Sequence, residues 1–147
     1  MARGAPLTAR PRLGVADIGA WLFTCNPREF GELDAVDGFC ARPSYRVGLV
    51  RPGQPAVLWV SGPEGAAPAP GIWMVGRTTG AVRDGDGRRP RVGLALRALA
   101  EPVARAELRA DPRTARMEVL RAPQMGNPSV VTPAELAAIA ELVDDWP

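Results

Sequence analysis

Neither histidine nor lysine occurs anywhere in these 147 residues. Without an imidazole, a serine or cysteine nucleophile lacks its commonest proton acceptor. Without an amine, there is no Schiff-base former and no lysine to act as base instead. Histidine-based zinc sites are excluded too, and Cys25 and Cys40 are too few to hold zinc unaided. Two cysteines cannot build a disulfide framework, and in a cytosolic setting both are expected to stay reduced. Long apolar runs are also missing, so no membrane-spanning helix is expected. The opening MARGAPLTARPRLGVADIGA is basic but lacks the continuous apolar core of a secretory signal, which makes the cytoplasm the expected location. Aromatic residues are scarce at 5% of the chain, with four Trp, three Phe and one Tyr.

All 18 basic residues are arginine, against 16 acids, for a net charge of +2. Arg3, Arg10 and Arg12 against Asp17 place that whole excess in the first twenty residues and leave residues 21–147 electrically even. Any affinity for nucleic acid must therefore come from local patches. Arginine suits such patches because its guanidinium forks phosphates and stacks on bases. The same bias, with abundant Ala, Gly and Pro, is what a GC-rich genome produces. An apolar fraction of 46% over this length is enough for one folded domain with a real core. Residues 1–18, without periodicity, read as a flexible leader, and 19–147 as the domain.

AWLFTC (20–25) reads as a buried strand. Asn26, Pro27 and Glu29 then form a helix start, and Phe30, Leu33 and Val36 supply the apolar face of a short helix ending near Gly38. A short strand is expected at Tyr45–Val47. AVLWVSG (56–62) and GIWMVGRT (71–78) read as adjacent strands joined by a Pro-rich surface loop. DGDGRR (84–89) is a polar turn. RVGLALRAL (91–99) is a long strand that Glu101-Pro102 should break. One or two helical turns around Leu108, a turn at Asp111-Pro112 and a strand at Met117–Leu120 follow. Thr132 and Glu135 form a capping box for a helix with Leu136, Ile139, Leu142 and Val143 on one face. The sum is five or six strands with three short helices and no βαβ rhythm, an α+β, mostly antiparallel or barrel-like fold.

Chemistry has few places to reside. Asp84/Asp86 and Asp144/Asp145 sit in a turn and at a helix end, where carboxylates are ordinarily solvated. DGDG lacks the bidentate Glu of a calcium loop, and no phosphate-binding or dinucleotide glycine pattern is present. No catalytic residue, metal or cofactor is expected. The Ser61-Gly62 end of one strand and the Gly71 start of the next meet at one sheet edge, where two glycines leave the backbone open to a flat ligand. Strand alternation puts Trp21, Phe23 and Cys25 on one face, and Val57, Trp59 and Ser61 on one face of the second strand. If the Trp59 face looks into a barrel mouth, Trp59 and Ser61 can stack on and hydrogen-bond a planar base, but Trp21, Trp59 and Trp73 read first as core fillers.

Four segments, WLFTCNPREF (21–30), LWVSG (58–62), GIWMVGRTTG (71–80) and MEVLRAPQMGNPSVVTPAEL (117–136), give the chain a resemblance to the EVE domain of the PUA-like superfamily. The likeness spans about residues 20–145. It implies a small twisted β-barrel flanked by short helices, with a concave pocket for a single nucleobase, commonly a modified one flipped from DNA or RNA. By position, the resemblance implies a pocket drawing on Cys25, Asn26 and Pro27, on Trp59, Ser61 and Gly62, on Gly71 and Ile72 opposite, and on Gly126, Asn127 and Pro128 in the late loop. The Asn127 amide, both donor and acceptor, suits a base edge. PSYRVGLVRPGQ carries Tyr45 where the family usually has a Trp, and a tyrosine ring still stacks. Gln54-Pro55 replaces the family's acidic residue. Arg42, Arg46, Arg51 and Arg77 are the candidates for phosphate contacts.

The expected function is thus a non-enzymatic nucleic-acid-binding module that captures a nucleobase. The even charge of residues 21–147 favours a rival reading, a small-metabolite or protein-interaction domain on the same fold. A carboxylate-based nucleotide hydrolase ranks last.

Overall fold

The apolar runs around Leu22 and Leu58 become neighbouring strands of one sheet in a computed structural model, which describes residues 12–26, 37–82 and 90–147. The strands are β1 (Ala20–Cys25), β2 (Gly38–Cys40), β3 (Pro55–Val60), β4 (Gly71–Val82), β5 (Arg91–Ala104) and β6 (Ser129–Val131). Their order across the sheet is β2-β5-β4-β3-β1-β6. At 12 and 14 residues, β4 and β5 are long enough for strand twist to accumulate, and the sheet curls into a half-barrel. Every pairing is antiparallel except β1 with β3, which run parallel from Trp21 beside Ala56 to Cys25 beside Val60. A parallel pair needs a crossover, and residues 26–54 provide it.

Period-two alternation distributes the apolar side chains to two cores. Trp21, Phe23, Leu58 and Val60 enter the first, where Phe23 stacks on Phe39 with ring centroids 5.7 Å apart. Leu22, Val57 and Trp59 enter the second, on the other face, beneath three helices. These are α1 (Arg105–Ala110), α2 (Glu118–Arg121) and α3 (Pro133–Ala140), which send Leu108, Val119 and Ile139 into that core. Among the described residues no helix is long and apolar enough to cross a membrane.

The capping box forms as expected: Thr132 Oγ1 accepts from Glu135 N at 3.2 Å, and Glu135 Oε1 accepts from Thr132 N at 3.0 Å. Thr132→Ala should lower stability by about 1 kcal/mol in chemical denaturation, the usual value of an N-cap side chain. An unchanged midpoint would mean that packing alone holds α3. Ile139 and Val143 are buried as the periodicity requires, but Leu142 is exposed because the helix ends at Ala140.

Other expectations give way. Tyr45–Val47 lies in a 3-10 helix, Tyr45–Leu49, rather than a strand. Ser44 caps it by accepting from Arg46 N, and its turn brings Val47 into the first core. Met117–Leu120 is a helical turn, because a short apolar run does not reveal its period. Pro102 does not break β5. Between Met74 opposite Ala98 and Ile72 opposite Val103 the register shifts, and residues 99–102 bulge against Trp73, where a missing N–H is tolerated. Residues 12–18, read as part of a leader, include Leu13 and Ile18 packed against the first core. The helix expected from Pro27 onward and the turn at 84–89 lie outside the described residues.

Candidate functional site

Register decides which residues can share a site. Gly71 pairs with Val60 on one side and Ala104 on the other, Val60 lies beside Cys25, and Leu22 pairs with Ser129. One end of the sheet therefore collects, in spatial order, Arg105, Gly71, Ser61, Asn26 and Asn127. Of the predicted pocket, Asn26, Ser61, Gly62, Gly71, Gly126 and Asn127 fall at this end, with the backbone of Cys25.

Ser61 donates twice to the Cys25 carbonyl, from its backbone N at 3.3 Å and its Oγ at 3.2 Å. Asn127 bonds reciprocally with Thr24: its Oδ1 accepts from Thr24 N at 2.8 Å, and its Nδ2 donates to Thr24 O at 3.1 Å. The amide thus imitates a strand residue and seals the β1 edge just beyond Ser129. Among the described residues its second N–H and one Oδ1 lone pair have no partner. The Asn127–Pro128 bond is cis. Asn127 O accepts from Arg42 N at 2.9 Å, and the Arg42 side chain lies over Gly126, where a Cβ would come within 2.8 Å of its Nε. Among the described residues the exposed Arg42 guanidinium makes no ion pair.

The 125–128 loop is clamped from below. The Arg46 guanidinium forks Glu118 at 2.7 and 2.9 Å and also donates to Pro128 O at 3.3 Å. Glu118 Oε1 accepts from Val130 N at 2.9 Å. Burial pushes the Glu118 carboxyl up. The hydrogen bonds from Arg46 and Val130, with the positive charges of Arg46 and Arg121, outweigh that and hold it below the ordinary Glu value. The pair to Glu118 holds the Arg46 guanidinium above its ordinary value, against the cost of burial.

Several predicted roles are corrected by these positions. Arg46 is committed to Glu118 and is not a free phosphate contact. Arg77 and Arg51 lie at the opposite end of the sheet, where Arg77 pairs with Pro55 rather than near Val60, about 17 Å away at the usual strand rise. Arg77 donates there to Gly53 O and Pro147 O, and Arg51 to Gly48 O and Val50 O. Trp59 is only 3% exposed, in the helix-covered core, because the Val57/Trp59 face turns towards α1 and α3 rather than into a mouth. Ile72 lies in the same core. Gly71 is needed because a Cβ there would collide with Val103 O of β5. The Cys25 thiol is buried in the first core, and its carbonyl serves the site instead. Tyr45 is part-buried: its OH accepts from Leu13 N at 3.1 Å, and Arg12 sits 4.9 Å over its ring. Gly62, at φ 156°, presents its carbonyl to Arg105 at 2.6 Å. Pro128 is buried, and Pro27 lies outside the described residues.

Sequence reasoning missed Arg105, Arg109 and Glu64, which flank the Gly62 side of this edge. Their only signal was an i,i+4 arginine pair on a short helix. Two hollows lie elsewhere. One of about 540 Å³ sits between Leu13, Asp17 and the start of α3, and one of about 450 Å³ lies under Leu142 beside Arg97 and Leu99. Among the described residues no three of Cys, Asp and Glu stand close enough to hold a metal ion.

No protein-family model matches the sequence, and no curated protein sequence matches it significantly. Solved structures do. A protein from Rhodopseudomonas palustris is similar at a TM-score of 0.65 and 19% identity, over 86% of this chain and 93% of its own. One from Pseudomonas putida gives 0.65 and 17%, over 84% and 98%. The human THYN1 protein, in a complex with DNA containing 5-methylcytosine, gives 0.62 and 14%, over 87% and 99%. At these identities the likeness establishes the fold alone, an α+β twisted half-barrel of EVE-domain-like shape.

Proposed function

We propose that this protein is a non-enzymatic nucleic-acid-binding module. It captures a nucleobase, in modified form, at the sheet end built from Asn26, Ser61, Gly62, Gly126 and Asn127. One observation carries this reading: an exposed guanidinium, Arg42, without an ion pair among the described residues, lies against Gly126 beside a rim of backbone carbonyls and the partly committed Asn127 amide. Its fold is shared with a human protein that forms a complex with 5-methylcytosine-containing DNA. The rim supplies edge hydrogen bonds to an extruded base and Arg42 supplies a phosphate contact, so unstacking is offset by both.

The test is binding to short oligonucleotides carrying unmodified, methylated or hydroxymethylated bases, at two salt concentrations. Affinity should depend on the modification. Arg42→Glu should weaken binding about tenfold and reduce the slope of log K against log salt by about 1, as loss of one phosphate contact requires. Equal affinity for every base would refute base capture. The even charge of residues 21–147 favours a second reading, a metabolite or protein ligand on the same fold. Salt-independent binding to free nucleosides, with none to oligonucleotides, would select it.

A further inference from the structure

We infer that Arg105 and Arg109 form a second phosphodiester-binding site at the far flank of the same edge, and that Glu64 is the internal counterion a nucleic-acid strand displaces. The inference rests on the nucleic-acid reading above and extends it to residues outside the predicted pocket. Arg105 follows β5 directly, and its backbone N donates to Pro70 O at 2.9 Å, which fixes it at the Ser61 end of the sheet. Its guanidinium donates to Gly62 O at 2.6 Å and to Glu64 at 2.9 and 3.2 Å. Arg109, one helical turn on, reaches the same Glu64 oxygen at 3.5 Å. One carboxylate oxygen therefore serves two cations, and the cluster keeps a positive excess.

Accessibility points the same way. The Glu64 side chain is 63% exposed and Arg109 50%, whereas Arg105 is 15% exposed and rigidly seated. A seated arginine with an exposed neighbour and a loosely held carboxylate is suited to exchange that carboxylate for a phosphate. The exposed Arg109–Glu64 contact costs little to break, and Arg105 keeps its bond to Gly62 O when Glu64 leaves. From β5 through β4, β3 and β1 to β6 is about 19 Å measured along the curled sheet at the usual strand spacing. Arg105 and Arg109 on one flank and Arg42 on the other therefore bracket the rim.

The probe is an unmodified DNA duplex, which reports phosphate contacts separately from any base preference. Glu64→Gln should tighten binding about two- to fivefold, the equivalent of one exposed ion pair. Arg109→Ala should weaken it by a similar factor and reduce the salt slope by about 1. Glu107→Gln, on the same helix and with the same change in net charge, should stay near wild type. Opposite signs for Glu64→Gln and Arg109→Ala are the signature of a displaceable counterion. If Glu64 merely holds its loop in place, both variants weaken binding, and the inference is overturned. No duplex affinity in wild type or in Glu64→Gln also overturns it. Base capture is judged by the ratio of modified to unmodified affinity. Loss of that ratio alongside the opposite-sign pattern would remove base capture and leave the phosphate site standing.

Discussion

Glu118→Ala is expected to destabilise the protein by about 3–5 kcal/mol, because it strands the largely buried Arg46 guanidinium without its partner. Arg46→Ala should cost a similar amount by leaving the carboxylate buried. Either truncation also releases Pro128 O or Val130 N, so the 125–128 loop loses its support together with the ion pair. Replacing both residues with apolar ones of matching volume should restore much of the stability, since a buried pair is costly to break but adds little net stability when intact. Denaturant titration of the two single variants and the double variant decides this. A loss below about 1 kcal/mol for Glu118→Ala would show that the pair behaves as a surface bridge.

The pair also sets a pH dependence. Glu118 is held below its ordinary value in the folded state, so it binds a proton more weakly there than in the unfolded chain. Its stabilisation is complete above the unfolded Glu value of about 4.3. It is lost as pH falls below that value and through the lower folded one. Asp111, held low by hydrogen bonds from Arg113, acts in the same direction from an exposed position. Stability profiles of wild type and Glu118→Gln should therefore converge in acid and separate above about pH 5.

Trp21→Ala should be comparably severe, about 3–5 kcal/mol, the usual range for removing a buried indole. Trp21 is fully buried in the first core, and its Nε1 donates to Gln54 Oε1 at 2.7 Å. That oxygen also accepts from Arg51 N at 2.6 Å, while Gln54 Nε2 donates to Leu49 O at 3.2 Å. Gln54 thus ties the crossover segment to β1. Trp21→Phe should fall between wild type and Trp21→Ala, since it keeps most of the volume but leaves Gln54 short of one donor. Equal losses for the two would place the whole effect in that hydrogen bond rather than in packing.

Local signals carried the reading as far as local physics reaches. The alternation in AWLFTC and AVLWV, the Gly and Pro boundaries around them and the box from Thr132 to Glu135 are short-range features, and the corresponding elements form. The meeting of Ser61-Gly62 with Gly71 was legible from the strand boundaries, but the placing of Cys25 and Asn127 beside them came only through the resemblance, because distant strands bring them together. Partner choice was not legible. Arg46 and Arg42 look alike in sequence, yet Arg46 finds Glu118 72 residues away and Arg42 finds no such partner among the described residues. Trp59 was open to two readings, core filler or pocket wall, and it is a core filler; alternation assigns residues to faces without saying which face the helices cover.

Thr24 and Asn127, whose backbone and amide close the β1 edge, are 103 residues apart. At ordinary rates of synthesis about 5–20 s separate their appearance on the ribosome. Throughout that interval β1 exposes a row of unpaired amides and carbonyls on the side that β6 will occupy, a template for any passing strand. Asn26, Arg42 and Ser61 emerge early but have no rim to belong to until the last strand docks. On the proposed function, competence to bind arrives only with completion of the sheet, and a partly made chain has an uncovered edge in place of the rim.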